Sequence, residues 1–81
     1  MSIEDRMETA INLAAERTKY ELRAREHRKK EKLFRDIRWY HRAKVERERA
    51  EAAEEKAENI RKTLQTMLNN IARTLTGGMT Q

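Results

Sequence analysis

Along the second half of the chain, apolar residues recur at alternating three- and four-residue steps. Trp39, Ala43, Ala50, Ala53, Ala57, Ile60, Leu64, Met67 and Ile71 fall on the a and d sites of one heptad frame between Trp39 and Leu75, and only Glu46 is out of character. A stripe this narrow marks a helix that buries one face against another helix. Ala50, Ala52, Ala53 and Ala57 permit close approach, whereas Ile60, Leu64, Met67, Leu68, Ile71 and Leu75 supply larger apolar volume. Hydrophobic stability should therefore concentrate towards the C-terminal end of the seam.

The first half reads as a helix with a weaker pattern. Ser2 followed by Asp5 has capping-box spacing, so a helix should begin at about Ile3. Ile3, Met7, Ala10, Ile11 and Ala14 form an apolar face that Thr18 and Leu22 extend. From Arg23 to Lys32 nothing larger than Ala24 suits a core, although Glu21–Arg25, Glu26–Lys30 and Glu31–Arg35 have the i, i+4 spacing that supports a solvated helix. Leu33, Phe34, Ile37 and Tyr40 then restore apolar character, but their frame extends onto Lys44, Arg47, Glu51 and Glu54. The seam that continues is offset by one residue, roughly 100° around a helix. No proline is present, and the only glycines are Gly77 and Gly78, so the first strong stop falls after Thr76 with Gly77 as a left-handed C-terminal cap.

The expectation is an all-α chain forming a single domain over residues 1–81: an N-terminal helix over 3–22, a polar basic segment or turn over 23–32, a C-terminal helix over 33–76 carrying the heptad seam, and a frayed tail over 77–81. Two architectures satisfy the pattern. One is an antiparallel helical hairpin turning within Glu26 to Lys32, and the other is a coiled-coil dimer of long helices.

Composition narrows the function classes. Of 81 residues, 41% are charged and 37% hydrophobic, too few apolar side chains for a large private core. No apolar run approaches a membrane span. The chain has no cysteine, and its first residues lack the basic and apolar regions of a signal peptide, which fits a soluble cytoplasmic protein. The net charge of +5 conceals a division, because residues 17–49 carry fourteen basic and six acidic side chains whereas residues 1–16 carry one and four. Such a surplus attracts polyanions or acidic protein surfaces, and its effect falls with salt.

Candidate chemistry is sparse. His27 and His41 would stand about 21 Å apart on one helix, too far to share a metal. Ser2 is the only serine, and no phosphate-cradling glycine loop is present. The carboxylates are dispersed among Lys and Arg, as helix-face ion pairs are. The expectation is thus no enzyme, no metal, no cofactor and no small-molecule substrate. Phe34, Trp39 and Tyr40 lie among basic residues, a combination suited to a protein interface or to stacking on unpaired bases.

A basic stretch ahead of a heptad seam resembles, in outline, a basic leucine-zipper protein. That family's basic region has an Asn, two Ala three and four positions on, and an Arg eight positions on. Here Asn12 is followed by Leu13, Ala14 and Ala15, position 20 is Tyr20, and Ala53, Ile60 and Met67 stand where leucines would. The chain is assigned to no family on this pattern.

The function expected is a small helical interaction protein, an adaptor, assembly factor or inhibitor, that associates with itself or docks on a larger protein. Its partner interface would comprise Phe34, Ile37, Trp39, Tyr40, Ile60, Leu64, Met67 and Ile71. The alternative is a nucleic-acid-binding protein dimerised through its C-terminal heptads, with Arg23, Arg25, Arg28, Lys29, Lys30, Lys32, Arg35, Arg38 and Arg42 contacting phosphates. A small cysteine-free chain without catalytic apparatus suits an accessory protein of a phage, plasmid or bacterial operon.

Overall fold

In the computed structural model, which describes residues 2–77, two long helices pack side by side as a hairpin. Helix α1 spans Ile3–Asp36 and α2 spans Tyr40–Gly77. The molecule measures 64 × 17 × 14 Å. Ser2 caps α1 as its spacing predicts, its hydroxyl accepting from the Asp5 amide at 3.2 Å.

The hairpin turns at residues 37–39, which corrects the expectation of a turn within 26–32. Helix α1 runs unbroken through the polar segment, supported by Glu31–Arg35 at 2.8 Å and by Arg17–Glu21, the partner Glu21 takes in place of Arg25. The chain reverses through a Schellman motif: the Arg38 amide bonds to the Arg35 carbonyl at 3.0 Å and the Trp39 amide to the Phe34 carbonyl at 2.7 Å. Arg38 holds the left-handed position with φ 63°, where glycine or asparagine would be easier. The apolar contact that accompanies such a motif is Phe34 on Trp39, with ring centroids 6.0 Å apart and planes 10° from parallel. The one-residue offset in the heptad frame is this turn. Gly77 closes α2 without a positive φ, so the left-handed cap expected there does not form, and the remainder of the expected frayed tail, 78–81, lies outside the described residues.

The C-terminal seam faces α1 as its pattern predicts. Ala43, Glu46, Ala50, Ala53, Ala57 and Ile71 are buried, and Ile60, Leu64 and Met67 are half-buried between them. Trp39 is the exception, exposed at the turn. On α1 the face turned to α2 differs from the one expected. Ile3, Ala10, Leu13, Tyr20, Ala24 and Phe34 lie on it with Arg6, Arg17, His27 and Glu31, again at steps of three and four. Met7, Ile11, Ala14, Thr18 and Leu22 point to solvent. The stripe they form drifts out of line and stops at Leu22, whereas the observed face continues to Phe34. Alanines on α2 admit the long aliphatic stems of arginine beside them.

Candidate interaction surfaces

Glu46, the misfit in the seam, is buried and matched from the opposite helix. The His27 ring nitrogen Nδ1 lies 2.5 Å from its carboxylate, and Arg49 reaches it at 3.4 Å. Glu31 occupies the corresponding core face of α1. It accepts from Arg28 at 3.0 Å and from Arg35 at 2.8 Å, and Arg28 also donates to Glu54 across the hairpin at 2.9 Å. The Arg28 hydrogen bond foremost, with Arg35 beside it, holds the Glu31 carboxyl below its ordinary range against the opposing effect of burial. The same contacts raise Arg28. Glu58 is likewise lowered by its hydrogen bonds to Arg61.

These pairings sort the nine basic candidates. Arg28 and Arg35 are engaged by Glu31 and Glu54, Arg42 lies 5.2 Å over the Trp39 ring and 5.9 Å over Phe34, and Arg23 lies 5.5 Å over Tyr20. Arg25, Lys29, Lys30, Lys32 and Arg38 are exposed and hold no ion pair among the described residues. Arg25, Lys29 and Lys32 follow one another at steps of four and three along the outer side of α1, so they form one stripe, while Lys30 faces away from it.

The eight interface candidates divide between two places. Phe34, Ile37, Trp39 and Tyr40 gather at the turn, where Ile37, Trp39 and Tyr40 are exposed at 48%, 53% and 63%. Exposed Leu33 stands one helical turn before Ile37 and joins them. Ile60, Leu64, Met67 and Ile71 are instead occupied within the hairpin, turned towards α1. A second apolar area appears at the open end, around Met7, Ile11, Leu68 and Leu75, because α1 buries a different face from the one its apolar pattern suggests.

The remaining surface offers shallow grooves along the helix flanks, open to solvent. Among the described residues, no group of three or more His, Asp or Glu side chains is placed to hold a metal ion. No helix of the described residues is long and apolar enough to cross a membrane.

Charge is distributed as unevenly as apolar surface. Residues 28–49, the part of the hairpin nearest the turn, carry ten basic and four acidic side chains. That surplus of six exceeds the net charge of the whole chain, +5. The turn therefore combines apolar anchors, stacked rings and positive potential in one place. Comparison with protein families, curated proteins and solved structures finds no match for this chain.

Proposed function

We propose that the protein is a non-enzymatic helical hairpin that docks its turn on the acidic, apolar-lined surface of a larger protein partner. The observation that carries this reading is the turn itself, where Leu33, Ile37, Trp39 and Tyr40 stand exposed within the basic surplus. Tryptophan, tyrosine and arginine dominate protein hot spots because they combine large buried area with directional polar contacts. Arg38 adds support. A left-handed arginine costs on the order of 1 kcal/mol relative to glycine, and a basic side chain at the apex justifies that strain if it meets an acidic partner.

The alternative is a polyanion-binding hairpin, favoured by one specific observation: the stripe of Arg25, Lys29 and Lys32 with no ion pair among the described residues. One titration separates the two readings. Labelled random duplex DNA and single-stranded RNA are titrated with the protein at low and near-physiological salt and followed by anisotropy. The docking reading expects no salt-sensitive binding of micromolar strength. Such binding, abolished when Arg25, Lys29 and Lys32 become Gln, transfers the conclusion to nucleic acid. A positive test of docking is a photo-crosslinker at position 37 or, as control, at position 55, in cells that express the protein. A defined protein captured from position 37 alone, and lost with Trp39→Ala, supports the proposal. Equal capture from both positions overturns it.

A further inference from the structure

The open end of the hairpin carries an apolar surface that the fold itself does not use. Met7 and Ile11 on α1 are exposed at 50% and 68%, and Leu68 and Leu75 on α2 at 45% and 55%. All four lie on one flank. Met7, Ile11 and Leu68 border a groove of about 300 Å³ between the helices, whose floor is Ala10, Leu64 and Ile71. Leu75 sits seven residues beyond Leu68, at the same place in the heptad.

The flank also carries little charge, in a chain that is 41% charged: only Glu4 and Arg61 stand at its margins, one heptad before Ile11 and Leu68. Ala14 and Thr18 continue the stripe on α1 beyond Ile11, and Gln65 and Ala72 stand on either side of Leu68 on α2. Towards the turn the same flank becomes charged: Glu21, Arg28 and Arg35 follow Ala14 at heptad spacing, Glu54 pairs with Arg28 from α2, and Lys44 and Arg47 lie beside Arg35. One flank is thus mainly apolar at the open end and mixed in charge beyond it, with its basic surplus nearest the turn.

We infer that the open-end flank is a self-association surface, covered by the same flank of a second copy of this chain, with the two turns pointing in opposite directions. Three observations select that occupant. First, the isolated hairpin is under-buried: it exposes 6551 Å², against roughly 5,100 Å² expected for a compact monomer of 9.7 kDa. Second, the area suffices. The four exposed side chains present roughly 400 Å² per copy, and their neutral neighbours bring a twofold contact to about 1,000 Å², the lower bound of a specific interface. Third, electrostatics fixes the direction. A flank with few charges opposes its own image at little electrostatic cost, whereas copies aligned turn to turn would bring two basic surpluses together. Opposed copies keep them apart.

A twofold axis near residue 9 of α1 and residue 67 of α2 sets Met7 of one copy against Ile11 of the other. At 1.5 Å per residue the two turns then stand roughly 90 Å apart. The assembly is a strut with a docking surface at each end, so a partner with repeated sites gains avidity without any new contact. That consequence rests on the proposed docking function, but the dimer does not.

The test uses the full chain and needs no partner. Sedimentation velocity across a hundredfold concentration range, with small-angle scattering at the upper end, is expected to give two copies and a maximum dimension well beyond the 64 Å of one hairpin. Association should strengthen with salt, the reverse of binding through the basic turn. Ile11→Glu, at an exposed helical position, is expected to weaken association at least tenfold while preserving the helical circular dichroism of the diluted protein. Leu75→Gln should weaken it in the same direction, and Trp39→Ala should leave it unchanged. A chain monomeric at every concentration overturns the inference. A dimer indifferent to both Ile11→Glu and Leu75→Gln overturns the surface, and one no longer than a single hairpin overturns the opposed arrangement.

Discussion

The two helices share one interface but build it from different residues. Helix α2 presents alanines and then larger aliphatics, so its buried face is also its apolar face. Helix α1 presents Arg6, Arg17, His27 and Glu31 among its core-facing positions, and leaves Met7, Ile11 and Leu22 in solvent. Along the α2 seam, apolar character identifies what the fold needs. On α1, it identifies what the fold leaves over, and leftover apolar surface on a long helix is where a partner is expected.

The largest effect that would break this comparison comes from charging each helix in turn. Leu64→Asp places a carboxylate on the face turned to α1 and should cost about 3 kcal/mol or more, enough to abolish the cooperative melt of a hairpin with so small a core. Ile11→Asp, at a position 68% exposed, should change the melt of the diluted protein by no more than about 0.5 kcal/mol. Thermal melts followed at 222 nm check both. Equal losses would remove the distinction between the two helices.

Ala50 tests close approach. It is completely buried, so Ala50→Leu must force the helices apart and should cost about 1–3 kcal/mol although it adds apolar area. A smaller effect belongs to the pair that fills the seam's misfit. His27→Ala leaves the Glu46 carboxylate with Arg49 alone and should cost about 1 kcal/mol. Replacing both residues with leucine should be neutral or stabilising, because the cost of burying the paired polar groups disappears with them. Urea melts of the single and double variants separate these outcomes.

Acid should act on α1's side of the interface. The folded Glu31 carboxyl is held below its ordinary range by Arg28 and then Arg35. Its contribution is therefore fully present above the ordinary carboxylate range and is lost as the pH falls through the lowered folded value. The melting temperature should decline on acidification across that window, and decline less steeply in Glu31→Gln. A decline of the same steepness would assign the acid sensitivity to other carboxylates, Glu58 first among them.

The same contrast explains what could be read before the structure was known. The α2 seam was legible because its residue types agree with its burial at nearly every step. The α1 seam was not, because Glu31 is buried and Arg17 and His27 half-buried by virtue of partners on other turns or on the other helix, and a single stretch of sequence does not show those partners. The eight interface candidates mixed positions that close the hairpin with positions that remain exposed, since both are apolar. The turn carried two signals without its usual glycine: the slip in heptad frame across Ile37 to Trp39, and the apolar pair Phe34 and Trp39 at the spacing of a Schellman contact.

The smallest effect concerns that turn. Glycine at position 38 relieves the positive φ of 63° but adds freedom to the unfolded chain, so Arg38→Gly should stabilise the hairpin by only a few tenths of a kcal/mol. Asparagine, which tolerates the left-handed region and is less flexible when unfolded, should do at least as well. Both variants remove the apical charge while preserving the fold. If they melt higher than the parent yet lose partner capture at position 37, the arginine is retained for contact and the backbone tolerates it. If they melt higher and capture is undiminished, the apex serves only to reverse the chain, and the docking surface reduces to the exposed side chains Leu33, Ile37, Trp39 and Tyr40.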